Sequence, residues 1–246
     1  DETFTYEVSP GDEISVILSE PGACYTRAAA TSEIITIEES DTIAVTTDAS
    51  SGQGSFAWAI DLANTAGCDQ TITVDLTGLP DNSTINISGI LITASRLKIV
   101  GPGRDLLRFE DTTPSGYSLS SQGMEYLEMS GFEFYHDQEN TDDGLRLESS
   151  MIVLSEIAVS GYGQNGISTV SMDNDFDQLF LSDNRTAILF YSSQLGGQTS
   201  SEVPARVSLT NSEFDNNEKS VFINDYQSFT TSTIENVVIK NNQDEY

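Results

Sequence analysis

Three stretches of this sequence carry residue types that could do chemistry. Asn140-Thr141-Asp142-Asp143-Gly144 places two adjacent carboxylates just before Arg146. Glycoside hydrolysis needs carboxylates across the scissile bond, and uronate elimination needs an Arg or Lys base beside carboxylates that hold calcium. Asp142, Asp143 and Arg146 are therefore the candidate catalytic residues. The plain reading is a turn with a surface ion pair contributing under about 1 kcal/mol. Asp173-Asn174-Asp175-Phe176-Asp177 alternates carboxylates, hard oxygen donors of the kind calcium takes. It lacks the sixth-position Gly and terminal Glu of an EF-hand loop, so Asp173, Asp175 and Asp177 are candidate calcium ligands set against solvated turn residues. No other cofactor is indicated. The single histidine, His136, follows Phe134-Tyr135 and reads as an exposed turn residue. Six tyrosines, Tyr117, Tyr126, Tyr135, Tyr162, Tyr191 and Tyr226, could stack on sugars or simply pack.

The elements that must position these groups belong to a very acidic chain. Its 246 residues hold 39 Asp plus Glu against 10 Lys plus Arg, a formal charge of −29. That balance excludes nucleic acid, which needs a clustered cationic surface, and docking on anionic lipid. Hydrophobic residues make up 37 %, and no apolar run approaches the roughly 18 residues of a membrane-spanning helix. Ser and Thr together number 56 and Lys only 3, giving an acidic, hydroxyl-rich surface. Such a charge is tolerated in salt, where the Debye length falls to about 8 Å or less, so a saline setting outside the cell is expected, with the cytosol of a halophile as the alternative. Cys24 and Cys68 fit either one disulfide, worth roughly 3–4 kcal/mol in the chain-entropy model, or two buried thiols.

Residues 1–48 read as a small β extension, with β-branched runs at Ile14–Leu18 and Ile34–Ile37 bounded by Gly, Pro and acidic residues. Residues 49–246 form the main domain. Ser55 is a plausible N-cap for a helix over about 55–65, whose Phe56, Ala59, Ile60 and Ala63 recur at helical spacing. Everything after it is β. Phe134, Val159, Leu181, Phe214 and Ile239 each open a strand-then-turn unit, at intervals of 25, 22, 33 and 25 residues, with Ile99 as an earlier member. A second apolar position, Leu107, Ile167, Ile188 or Val221, trails its anchor by seven or eight residues, stretched to 11 at Leu145. A period in this range with short strands is what a parallel β-helix requires, each strand stacking on its copy about 4.8 Å away. The anchors become apolar columns, Ser192–Val203 becomes an insertion, and Asn216-Asn217 with Asn241-Asn242 take equivalent turn positions where Asn can stack as a ladder.

Gly54-Ser55-Phe56-Ala57-Trp58-Ala59-Ile60-Asp61-Leu62-Ala63-Asn64, then Gly67-Cys68-Asp69-Gln70-Thr71-Ile72, resembles the opening of secreted and cell-surface bacterial β-helix proteins of the pectin-lyase-like superfamily, the CSLREA type. Phe56-Ala57-Trp58 stands where that group has Leu-Arg-x. Leu97-Lys98-Ile99-Val100-Gly101-Pro102-Gly103 is similar to the group's first-coil signature. The resemblance implies a right-handed parallel β-helix capped by the helix, and secretion; it carries over no catalytic residue. Asn140-Thr141-Asp142 is also similar to a polygalacturonase motif, but those enzymes add a second Asp pair on the next coil, a Gly-His-Gly segment and an Arg-x-Lys segment. The expectation is a structural or binding protein, adhesin-like and without catalysis, with a uronate lyase or glycoside hydrolase and a calcium-dependent glycan-binding module as the alternatives. Its expected partners are an extracellular glycan and, through an open last coil, further copies of itself joined end to end.

Overall fold

The computed structural model describes residues 13–14, 17–18, 30–31, 35–36, 41–65, 70–112, 116–137, 143–191, 205–224 and 229–243. Contacts divide the chain into residues 1–41 and 42–246. In the first unit Glu13–Ile14 pairs antiparallel with Ile35–Thr36, and Ile17–Leu18 pairs with Ala30–Thr31. Ile14 and Ile17–Leu18 fall in the first β-branched run read from the sequence and Ile35–Thr36 in the second, while Ala30–Thr31 lies outside both.

The second unit is an all-β parallel solenoid with one short helix. Its strands fall into three stacks. The first holds Thr42–Ala44, Ile72–Asp75, Arg96–Val100, 126–130, 151–155, Asp173–Asp177, Ala205–Thr210 and Phe229–Glu235. Thr42–Ala44, counted with the N-terminal extension by sequence, thus pairs with the solenoid. The second stack runs Ser83–Ile87, Leu107–Asp111, 132–135, 157–160, Phe180–Ser182, Glu213–Asp215 and Val238–Lys240. The third runs Ile90–Ile92, 119–124, 143–149, Asn165–Val170, Thr186–Tyr191 and Lys219–Asn224. The chain visits the stacks in that order and then climbs one layer.

Inward side chains meet their equivalents because a parallel register places like above like. Phe134 pairs with Val159, Val159 with Leu181 and Leu181 with Phe214, and all four are fully buried. The trailing column Leu119–Leu145–Ile167–Ile188–Val221 is also in register, with its first four members fully buried and Val221 40 % exposed. Burying each such side chain contributes roughly 1.5–3 kcal/mol. Three column assignments need correction. Ile99 lies in the first stack, between Val74 and Met129, while the layer below Phe134 supplies Phe109. The strand Arg96–Val100 carries the same apolar alternation as Leu107–Asp111 of the second stack, so pattern alone does not separate them. Ile239 pairs with Phe214 yet is 56 % exposed, because Val238–Lys240 is paired on one side only among the described residues. Leu107 likewise sits in the second stack, opposite Ser83.

The helix is Phe56–Thr65, with Phe56, Ala59, Ile60 and Ala63 buried as their spacing requires. Ser55 Oγ accepts from Trp58 N at 3.3 Å, the expected N-cap bond. Phe56 meets Phe109 at 4.7 Å between ring centres, and Phe109 stacks on Phe134 at 5.1 Å. Asn64 pins the other end of the helix to a coil: its Oδ1 accepts from Thr93 N and Ala94 N, and its Nδ2 donates to Leu91 O. Among the described residues, no helix is long and apolar enough to cross a membrane.

Candidate functional site

The site begins at the corner between the second and third stacks. Four successive coils turn there through one left-handed residue, Gly161, Asp183, Asn216 or Asn241. The next residue points inward: Tyr162, Asn184, Asn217 or Asn242. The three asparagines form a ladder. Asn184, Asn217 and Asn242 donate their Nδ2 to the carbonyls of Val159, Leu181 and Phe214, the column anchors one coil back. Their Oδ1 atoms accept from the main-chain N of Tyr162, Asn184 and Asn217 at 3.1, 3.0 and 2.6 Å. Buried amides satisfied this way hold the turn rigid.

Where the ladder reaches Tyr162, the surface opens into a cleft of about 500 Å³ lined by Tyr135, His136, Asp137, Tyr162, Asp183, Arg185 and Glu218, with the 160–163 backbone. Its floor is fixed from within. Tyr162 is 1 % exposed, and its hydroxyl lies 2.7 Å from Ser118 Oγ, which donates at 2.5 Å to the buried Asp111 carboxylate. The Tyr162 phenol is raised well above its ordinary range, chiefly by burial, with the Ser118 bond opposing and the Asp111 and Glu133 charges adding. It stays protonated and serves as a fixed post. His136 is 4 % exposed and lies against Tyr162 at 5.7 Å between ring centres. It is therefore not the exposed turn residue its position suggests; the corner folds it under. Gly161 allows this, with φ of +83° and a position where any Cβ would collide with the His136 carbonyl.

The cleft rim is polar and mostly acidic. Arg185 Nε faces Glu218 Oε2 at 3.4 Å, and Asp183 Oδ1 accepts from Asn216 Nδ2 at 2.6 Å. The Tyr135 ring carries the Arg108 guanidinium at 4.6 Å from its centre. Arg108 in turn binds Glu133 at 2.7 Å in a smaller neighbouring cleft of about 190 Å³.

The predicted site residues lie elsewhere. Asp142 lies outside the described residues, as do Cys24, Cys68, Tyr226 and the Ser192–Val203 insertion. Asp143 is half-buried; its Oδ1 accepts from Asn165 N and Nδ2, at 3.3 and 2.6 Å, and its Oδ2 from Ser168 Oγ at 3.1 Å. Arg146 is exposed on the same strand. Asp173, Asp175 and Asp177 alternate along the outer face of a strand rather than converging in a loop. Asp173 pairs with Arg206 at 2.8 Å, and Asp177 accepts from Thr210 Oγ1 at 2.6 Å and Asn211 Nδ2 at 2.7 Å. The Thr210, Gln178 and Asn211 bonds hold the Asp177 carboxyl below its ordinary range against the opposing effect of burial. Among the described residues, no three His, Cys, Asp or Glu side chains converge as for a metal ion. An Arg-x-Lys triplet does occur, at Arg96-Leu97-Lys98, but in the first stack, where Arg96 meets Glu125 at 3.7 Å and Lys98 meets Glu128 at 2.8 Å. Burial would raise the Glu128 carboxyl, yet its bonds from Lys98 and Tyr126 bring it below its ordinary range. Asp143 belongs to the third stack, so the triplet and the acid face different sides.

Tyr135 and Tyr162 of the cleft are among the tyrosines named from the sequence, whereas Asp183, Arg185 and Glu218 are not; all five fall within four positions after a column anchor. No family model, no curated protein and no solved structure matches the chain.

Proposed function

We propose that this protein is a right-handed parallel β-helix of the pectin-lyase-like kind, secreted or displayed at a cell surface in a saline environment, that binds glycan and builds structure without catalysing a reaction. The observation that carries this reading is the commitment of Asp143. The acid with the most chemistry in its sequence context gives both carboxylate oxygens to donors of the next coil, which suits a staple between layers better than a general acid or nucleophile. The outer-face charges follow the same pattern. Lys98–Glu128, Arg108–Glu133, Asp173–Arg206 and Glu213–Lys240 each join neighbouring coils. The helix cap pinned by Asn64 supports the family resemblance, and the right hand is the one favoured for parallel crossovers.

Incubation with pectate, polygalacturonate and alginate, with and without calcium, tests the reading. The expected result is no new reducing ends, no absorbance rise near 235 nm, and a melting temperature unchanged by EDTA. Unsaturated uronate products, or new reducing ends lost in Asp143→Asn, would replace this reading with an enzyme.

A further inference from the structure

Resting on that binding reading, we propose that the 500 Å³ cleft takes an aminated sugar unit, its ammonium set against the cleft carboxylates, and rejects uronate. The volume falls within the roughly 300–1,000 Å³ of small-ligand sites. Its rim carries Asp137, Asp183 and Glu218 against one guanidinium, Arg185, which already faces Glu218. Asp183 is held in place by Asn216, while Asp137 is exposed and makes no hydrogen bond or ion pair among the described residues. Carboxylates on a rigid frame attract a cationic group and repel a like charge. The cations that would neutralise a uronate are engaged elsewhere: Arg96, Lys98, Arg108, Arg206 and Lys240 each sit against a carboxylate of an adjoining coil. Tyr135 gives the apolar face of a pyranose an aromatic ring, backed by Arg108. The floor under it, His136 on Tyr162 with Ser118 and Asp111 behind, keeps the cleft shaped before any ligand arrives.

Isothermal titration of the full chain with three trisaccharides tests this: β-1,4-linked glucosamine, N-acetylglucosamine and galacturonate. Physiological salt, where the Debye length is about 8 Å, limits diffuse attraction to the acidic surface. The glucosamine trimer is expected to bind at least about tenfold more tightly than the neutral trimer, with no galacturonate binding. Asp137→Asn is expected to weaken glucosamine about tenfold, and Tyr135→Ala to weaken both bound sugars. Asp175→Asn, the same charge change on the outer face of the first stack, is expected to change affinity less than about twofold. Equal losses in Asp137→Asn and Asp175→Asn would reduce the effect to general attraction and overturn the proposal. Preference for galacturonate would overturn the ligand class while leaving the binding reading intact. Failure of all three sugars to bind would overturn both. Cleavage of a bound trimer would overturn the non-catalytic reading alone.

Discussion

Two corners of the solenoid use the same backbone device for different ends. Between the first and second stacks the chain turns through Gly131, Glu156, Gln178, Asn211 and Asn236, all left-handed. Between the second and third it turns through Gly161, Asp183, Asn216 and Asn241. At the first corner the residue that follows is mostly apolar: Phe132, Ile157 and Leu179 are buried in the core. At the second it is Tyr162, whose main-chain N donates to Asn184 of the next layer, or an asparagine bonded to the layer before it. One inward residue per coil thus decides whether a corner is merely closed or becomes a rigid polar edge. The 500 Å³ cleft lies at the second corner, lined by the flanking Asp183, Arg185 and Glu218.

The comparison can be broken most severely at Gly161. Gly161→Ala forces a side chain into a left-handed turn against the His136 carbonyl, and is expected to lower stability by roughly 3 kcal/mol or more, read by thermal or urea unfolding. Asn217→Leu keeps the branching of the side chain but leaves the Leu181 carbonyl and the Asn184 amide unpaired in a fully buried site. A loss of about 2–3 kcal/mol is expected, whereas Ser212→Ala, the equivalent position of the first corner, is expected to cost about 1 kcal/mol. Equal losses would mean that the ladder adds nothing beyond ordinary hydrogen bonding.

The first corner gives a pH test. The Asp177 carboxyl lies below its ordinary range because Thr210, Gln178 and Asn211 bond its charged form. A depressed carboxyl contributes stability above its unfolded value, and that contribution is lost as pH falls through the folded value. Asp177→Asn is therefore expected to destabilise at neutral pH and to flatten the acid limb below the usual carboxylate range. An unchanged limb in urea midpoints taken across that range would refute the assignment. The smallest effect concerns Glu156, left-handed with φ of +54°. Glu156→Asn is expected to stabilise by about 0.5–1 kcal/mol, as a rise in melting temperature.

Much of this was written in the spacing. Phe134, Val159, Leu181 and Phe214 announce the layers because a parallel register repeats one residue type at one position, and Asn217 with Asn242 announce the ladder. Ile99 misled because strands of two stacks carry the same apolar pattern, and only the pairing separates them. Asn174 was illegible for another reason. It occupies an apolar column between Ile152 and Val207, where it accepts from the buried Thr169 hydroxyl at 3.1 Å, and its sequence context reads as an acidic calcium run. The cleft itself was hidden because its residues come from four coils, and the carboxylates that drew attention, Asp143 and Asp177, are those the fold uses to join layers.

The stacking of successive coils is the claim on which the corners, the ladder and the cleft all depend. It is tested most directly by cysteine cross-linking across the longest coil, with Cys24 and Cys68 changed to serine. Asp175 and Ser208 face each other in register one layer apart, and Ser208 faces Thr233 on the next. Asp175→Cys with Ser208→Cys is expected to form a disulfide under mild oxidation, since parallel neighbours lie about 4.8 Å apart. Asp175→Cys with Thr233→Cys, two layers apart at roughly 9.6 Å, is expected to stay reduced. Cross-linking of the second pair in preference to the first would contradict the stack.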